Sequence, residues 1–176
     1  MTSWMLRGMG GAMIALASSG LMSGANAQQS TNQVASNTDW SVFVEADECW
    51  GVSAPKETVN TKDGAPIEVR RGDILLFVTY RAGGAKGEVS FSGGYPFAAG
   101  STVSMALDNG SFDLFTDGEW AWPANPEDDA RILAAMKSGT QAVMSARSGR
   151  GTQTKDTFSL LGFTASVAEA EKRCAS

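Results

Sequence analysis

The chain contains two cysteines, and they lie near opposite ends of the part that carries folding patterns, at Cys49 and Cys174. A disulfide between them would close a loop of about 126 residues, for which the chain-entropy model gives at most about 5 kcal/mol. That figure is comparable to the whole net stability of a small domain. A redox-active or metal-binding thiol pair is the competing interpretation, but CxxC spacing and a second cysteine pair are both missing. A structural disulfide is therefore favoured in any compartment that permits oxidation.

The N-terminal segment indicates such a compartment. Arg7 precedes a Gly/Ala/Met/Leu-rich run over residues 8–22, and small residues follow up to Ala25-Asn26-Ala27. This order is typical of a cleavable secretory signal over residues 1–27. A retained anchor is the alternative, but the run is shorter than the roughly 20 apolar residues that span a bilayer. We expect cleavage near Ala27-Gln28, a periplasmic or secreted mature protein, and no stable membrane insertion afterwards.

Composition argues against several classes of function. The signal segment contains one of the 14 basic residues and none of the 19 acidic residues, so the mature net charge is −6. Nucleic acid and anionic membranes favour a basic face, so we expect neither as a partner. The chain has no histidine, which removes Ser-His-Asp catalysis, Cys-His catalysis and His-ligated zinc. We therefore expect a protein that is not an enzyme and that uses no cofactor and no metal.

Hydrophobic periodicity predicts a short leader followed by one domain. Residues 28–38 are rich in Gln, Asn, Ser and Thr and are predicted to be flexible, whereas residues 39–176 have the size of a single domain. Ile74 to Tyr80 is apolar on both faces, which predicts a central strand covered on both sides. Asn109-Gly110 predicts a hairpin over about 102–116, because this dipeptide supplies positive φ values. Other strands are predicted at 40–45, 49–53, 88–92, 141–147 and 154–161, with a possible short strand at 67–70 and a short aromatic segment at 119–122.

Two helices complete the prediction. Asn125-Pro126 and the acids after it predict a helix over about 126–137, which Gly139 ends. Apolar residues at intervals of four, three and four up to Cys174 predict a second helix over about 165–173, with a capping box from Ser166 to Glu169. The fold class is therefore mainly β: a single antiparallel β-sandwich or barrel-like domain of about eight or nine short strands.

Two groups of residues are candidates for a small-ligand site. Aromatic side chains with polar edges would form a platform for a sugar or peptide if they are exposed, although most aromatics in a small domain are core. The Gly- and Arg-rich loop 148–155 offers cations and a nest of backbone N–H groups to an anion, although a plain interstrand loop explains it as well. The residues concerned are Tyr95, Trp120, Trp122, Arg147, Arg150 and Lys155, with Pro96 and Phe97 beside the aromatic set.

Two further motifs have simpler explanations. Arg71-Gly72-Asp73 is a tripeptide that integrins bind, but a turn before a core strand explains it. Asp117 and Glu119 would serve a hydrolase only if they faced each other across a cleft. The sequence supplies no such pairing.

The chain resembles the invasion-associated locus B family of exported bacterial proteins. The residues that carry the resemblance are 40–43 (WSVF), 49–53 (CWGVS), the apolar strand after 70–73 (RRGD), and 158–165 (FSLLGFTA) leading to Cys174. The resemblance implies an envelope or periplasmic protein of a Gram-negative bacterium, in a family named for host-cell invasion and without an established catalytic mechanism. It transfers no catalytic residues to this chain.

Two functions from different classes remain open on the sequence. The first is a non-enzymatic exported domain, held by the Cys49–Cys174 disulfide, that binds an unidentified protein or envelope component. The second is a glycan- or anion-binding module that uses the aromatic face and the Gly/Arg loop.

Overall fold

Alternating apolar and polar residues pair into one antiparallel sheet in the computed structural model, which describes residues 32–83 and 87–175. The signal segment predicted over 1–27 lies outside the described residues. The strands are β1 (Gln33–Asn37), β2 (Trp40–Glu45), β3 (Glu48–Ser53), β4 (Glu57–Lys62), β5 (Ala65–Pro66), β6 (Leu75–Arg81), β7 (Glu88–Ser92), β8 (Thr102–Leu107), β9 (Gly110–Asp117), β10 (Trp120–Trp122), β11 (Gln141–Arg147) and β12 (Gln153–Ser159). The helices are α1 (Pro126–Ser138) and α2 (Phe163–Cys174).

The mainly β, sandwich-like class predicted from the sequence is confirmed. The sheet is open, and its strand order is β1-β2-β3-β6-β7-β10-β9-β8-β11-β12-β4-β5. The described part of the chain thus has twelve strands rather than eight or nine, because β1, β4, β5 and β10 are polar or very short and were not predicted as strands.

Two local predictions along these strands are wrong. Residues 33–37, predicted as part of a flexible leader, form β1 and pair with β2. Residues 67–70, predicted as a strand, lie outside the strands that flank them, β5 and β6. In both cases pairing with a neighbouring strand, rather than local composition, decides the structure.

The sheet folds back on itself, so its two halves enclose the core. Phe91 on β7 contacts Phe158 on β12, with ring centroids 6.1 Å apart. The indole Nε1 of Trp40 on β2 donates to the carbonyl oxygen of Ser159 at 2.9 Å. The ring of Phe163 on α2 lies edge-on to Trp40 at 4.9 Å, so the C-terminal helix closes the same core. These rings are all buried.

β6 has one covered face, which corrects the prediction of two. Leu76, Val78 and Tyr80 are buried inside the fold. Leu75 and Phe77, on the other face, are half-buried. The outer face of the sheet therefore carries apolar side chains that the core does not use.

The hairpin predicted at Asn109-Gly110 forms, but its turn differs. Leu107 pairs with Gly110, so the loop residues are Asp108 and Asn109, and neither has a positive φ. A positive-φ Asp-Gly turn occurs instead between β4 and β5, at Asp63 and Gly64, with φ values of 51° and 81°.

The first helix matches its prediction. The side chain of Asn125 accepts a hydrogen bond from the backbone N–H of Asp128 at 2.9 Å, which satisfies one free donor of the first turn. Pro126 is the first helical residue, and Ile132, Leu133 and Met136 are buried.

The second helix begins earlier than predicted and without a capping box. Gly162 is the N-cap residue, with φ 88°. A Cβ at that position would overlap the carbonyl oxygen of Asn37, so the approach of β1 requires glycine. Ser166 is buried and accepts a hydrogen bond from the side-chain amide of Asn37 at 3.0 Å instead of capping the helix. Glu169 instead forms an ion pair with Arg173, one turn further along the helix.

The predicted disulfide joins Cys49 on β3 to Cys174 at the end of α2. Both cysteines are buried among the core residues. The bond thus fixes the C-terminal helix to the first strands of the sheet. No helix within residues 32–83 and 87–175 has the length and apolar character needed to cross a membrane.

We expect reduction of this bond to lower the free energy of unfolding by up to about 5 kcal/mol, because the closed loop is long. The measurement is thermal unfolding of the mature protein with and without a reductant. The Cys49→Ser/Cys174→Ser variant is the control and should melt at the same low temperature under both conditions. A wild-type melting temperature that is unchanged by reduction would contradict the prediction.

Candidate functional site

Six aromatic side chains lie together on the outer face of the sheet and form what we call the aromatic strip. They are Phe43 on β2, Trp50 on β3, Phe77 on β6, Trp120 and Trp122 on β10, and Phe115 on β9. Phe43 and Trp50 stack with ring centroids 5.9 Å apart, and Phe77 contacts Trp120 at 5.7 Å. Phe115 is paired directly with Trp122 across β9 and β10. The strip therefore runs across neighbouring strands rather than along one.

Strand alternation explains why these rings face outward. Ala121 lies between the two tryptophans of β10 and is fully buried, as is Leu114 just before Phe115. Side chains of a strand alternate between faces, so the positions next to these core residues must face solvent. Phe115 is 58% exposed, and Trp120 and Trp122 are each 43% exposed. This degree of exposure is unusual for large aromatic residues.

Carboxylates surround the exposed end of the strip. Asp113 and Asp117 lie two residues before and after Phe115 on the same face of β9, and Asp117 is paired with Trp120. Glu119 follows in the turn that leads into β10. No hydrogen bond or ion pair engages these three side chains within the described ranges, so their charges are directed to solvent.

A groove of about 490 Å³ lies beside Trp122, between β7 and the start of α1. Glu88 and Asp129 are its two acids, and Arg81 lines it as well. Arg81 is already held by Glu48 and Glu88. Asp129 accepts the backbone N–H of Val89 at 2.7 Å, and burial raises the pKa of its carboxyl.

A second region is built on a buried ion pair that sequence reasoning missed. Arg71 and Asp156 form a two-pronged pair at 2.6 and 2.7 Å, with side chains 6% and 0% exposed. The remaining donors of Arg71 bind the carbonyl oxygen of Gly93 and the side chain of Asn60. The Arg71-Gly72-Asp73 tripeptide therefore does not offer its arginine to a receptor.

Tyr95 packs on this ion pair. The guanidinium of Arg71 lies 4.9 Å from the centre of the Tyr95 ring, and the Tyr95 hydroxyl is 2.5 Å from the hydroxyl oxygen of Thr154. A cleft of about 410 Å³ opens above them, and Arg70 and Arg150 also line it. Neither of these two arginines has a hydrogen bond or ion pair in the described structure.

The Gly/Arg loop does not form the predicted nest of free N–H groups. The N–H of Ser148 donates to the carbonyl of Thr152, and that of Gly149 to the carbonyl of Pro96. The N–H groups of Gly151 and Thr152 both bind Ser148. Because its own turn uses these donors, the loop contributes a side chain, Arg150, rather than a backbone anion site.

The structure separates the residues that the sequence grouped as one ligand site. Tyr95 and Arg150 share the cleft, whereas Trp120 and Trp122 lie on the outer face of β10. Arg147 and Lys155 line a different, shallow depression of about 590 Å³. Of the other residues weighed with them, Phe97 is buried in the core. Pro96 lines the cleft.

Asp117 and Glu119 do not form a pair across a cleft. Glu119 lines the cleft above Tyr95, whereas Asp117 belongs to the outer face beside Trp120. In the parts of the chain that the structure describes, no cluster of three or more His, Cys, Asp or Glu side chains is arranged to hold a metal ion.

The sequence contains a signal for part of the aromatic strip but none for the buried ion pair. Phe115 is out of phase with the core residues of its own strand, and Trp50 is out of phase with Cys49 and Gly51. Aromatic residues at outward positions of several strands are a signal of a surface patch. The Arg71–Asp156 pair had no such signal, because the partners are 85 residues apart.

A family model described as Invasion associated locus B (IalB) protein matches residues 56–171, which is well over half of the chain. The matched region begins after β3 and ends before Cys174, so it contains most of the strip but neither cysteine. Searches of curated proteins and of solved structures gave no match.

The buried ion pair yields a stability prediction. We expect Arg71→Ala to lower the free energy of unfolding by about 3–5 kcal/mol, because it leaves the Asp156 carboxylate buried without a partner. Arg71→Met/Asp156→Leu should regain a large part of the loss. The measurement is urea unfolding, with Arg131→Ala as a control that removes an exposed pair with Asp128. Equal losses in Arg71→Ala and Arg131→Ala would contradict the buried pair.

The two tyrosines yield a prediction about alkaline pH. Burial raises the pKa of Tyr80 to about 12, helped by the charge of Glu171, and burial also raises the pKa of Tyr95. We expect little tyrosinate absorbance at pH 10, where a free tyrosine is about half ionised. Because the folded protein disfavours tyrosinate, protonated Tyr80 contributes fully to the free energy of unfolding below about pH 10. This contribution is lost as the pH rises towards about 12. The measurement is an ultraviolet pH titration, in which Tyr95→Phe isolates Tyr80; half-ionisation of both tyrosines near pH 10 in the folded protein would contradict it.

Proposed function

We propose that this chain, which belongs to the Invasion associated locus B (IalB) protein family, is an exported, non-enzymatic domain that binds a protein or envelope component through the aromatic strip. The family is invasion-associated and generally exported. We place the mature protein in the periplasm or outside the cell. A disulfide that ties the domain's two ends together fits an oxidising compartment.

The exposed strip is the observation that carries the proposal. Single exposed apolar side chains are ordinary, but contiguous aromatic patches usually mark an interaction surface. Tryptophan and phenylalanine are enriched at protein interfaces, and tryptophan often dominates the binding energy. The strip contains two exposed tryptophans within three residues, opposite an exposed phenylalanine. Such a surface has the chemistry of an interface centre.

Two observations support the non-enzymatic part of the proposal. The chain has no histidine. In the cleft above Tyr95, Arg71 is bound to the buried Asp156, and Glu119 is the acid that lines the cleft. A hydrolase of the two-carboxylate kind needs a second acid facing the first.

A glycan- or anion-binding module is the second candidate, and it is favoured by the cleft rather than the strip. Tyr95 supplies a ring, and Arg70 and Arg150 supply cations without an internal partner in the described residues. The candidate is weaker than the first because the backbone donors of the loop are already used.

Site-specific photo-crosslinking in intact cells tests the first candidate. We expect a photoreactive phenylalanine analogue at position 115 or 122 to give a discrete adduct with one envelope or host protein, identified by mass spectrometry. The same analogue at Ala168, an exposed position on α2, should not give that adduct. Identical adducts from all three positions, or no adduct from the strip in cells that export the protein, would contradict the proposal.

A matched pair of variants sharpens this test. Trp120→Ser/Trp122→Ser should lower affinity for the captured protein at least tenfold, since truncating an interface tryptophan often costs more than about 1 kcal/mol. Leu161→Ser removes an apolar side chain that is 61% exposed but lies outside the strip, and should leave affinity unchanged. Equal effects of the two changes would show that the strip has no special role.

A further inference from the structure

The charges around the aromatic strip are strongly unbalanced. On the strands that carry or adjoin the strip, β2, β3, β6, β7, β9 and β10, the outer face has five acids and one arginine, Arg81. The acids are Glu45, Glu48, Glu88, Asp113 and Asp117. This face therefore carries an excess of negative charge around the exposed rings, in a chain whose net charge is −5.

The single arginine does not neutralise the end of the strip that is most exposed. Arg81 forms ion pairs with Glu48 and Glu88, so its charge is used on that side of the face. Asp113 and Asp117 lie near Phe115 and Trp120, and no ion pair with either of them occurs in the described residues. A partner that covered these carboxylates without supplying positive charge would bury them unpaired, which is costly.

The groove beside Trp122 fits one cationic side chain. Trp122 lines it together with Glu88, Asp129 and Arg81. A lysine or arginine is attracted both by carboxylates and by the face of a tryptophan ring. Its aliphatic stem would at the same time cover apolar surface. The groove and the unpaired acids thus select the same kind of side chain.

We propose that the partner of the aromatic strip presents a basic, apolar protein segment, in which Lys or Arg side chains are interspersed with apolar residues. This inference rests on the proposed function. The apolar residues cover the exposed rings, and the cations meet Asp113, Asp117 and the groove beside Trp122. Phosphate-rich surfaces and a second copy of the chain carry the wrong sign of charge for this face.

The test uses the oxidised mature protein and two short synthetic peptides of equal length, one alternating Lys with Leu and the other alternating Glu with Leu. Binding is measured by fluorescence anisotropy of the labelled peptides. We expect the Lys peptide to bind at least tenfold more tightly, and to weaken as salt is added, because the charges involved are exposed. Equal affinity for the two peptides would overturn the inference.

Two charge variants locate the effect. Asp113→Asn/Asp117→Asn should reduce affinity for the Lys peptide at least threefold. Glu68→Gln/Glu171→Gln removes the same number of charges from exposed positions outside the strip, and should change affinity much less. Equal losses would show a response to net charge alone and would overturn the inference.

The tryptophan variant separates this inference from the proposed function. One outcome is that the two peptides bind the wild-type protein equally and Trp120→Ser/Trp122→Ser abolishes the binding of both. The strip is then an interaction surface, but the inference of a basic partner is wrong. If the tryptophan variant changes neither peptide's binding and the crosslinking in cells also fails, the proposed function is wrong as well. Two further results would also overturn the inference of a basic partner, if the tryptophan variant abolishes them. One is self-association of the protein in analytical sedimentation. The other is tighter binding of a neutral chitin oligosaccharide than of the Lys peptide.

Discussion

The guanidinium of Arg71 binds four groups inside the protein, and they belong to segments that are far apart in the sequence. Asp156 is on β12, Asn60 is on β4, the Gly93 carbonyl follows β7, and the Tyr95 ring stacks on the cation. These segments come from both halves of the folded-back sheet. The ion pair therefore helps to set how the halves meet at that end of the core, and Arg71 is one of the residues that line the cleft.

The disulfide performs the corresponding task at the other side of the core, where it fixes α2 to β3. The inner faces of the strands supply the packed core, in which Trp40, Phe91, Phe158 and Phe163 are buried. The interior is thus filled without the rings of the strip, which is how a small domain can place these aromatic rings on its outer face.

Local signals predicted the helices and the long strands, because caps, turns and alternation act over a few residues. The disulfide was predicted because the sequence has two cysteines. β4 was not predicted, since its polar sequence is stabilised by pairing with β12, where Thr61 lies opposite Gln153. The same limitation affected the site. Trp120 and Trp122 were identified as candidates, but only the placement of β10 between β7 and β9 shows that they join Phe77 and Phe115 instead of Tyr95.

The separation of the two cysteines affects when the disulfide can close during folding. Cys174 lies 125 residues after Cys49, so the bond can form only once α2 has docked on β3. With two cysteines in the sequence, no incorrect pairing within one molecule competes with this bond. The closed bond therefore records that the first strands and the C-terminal helix have met.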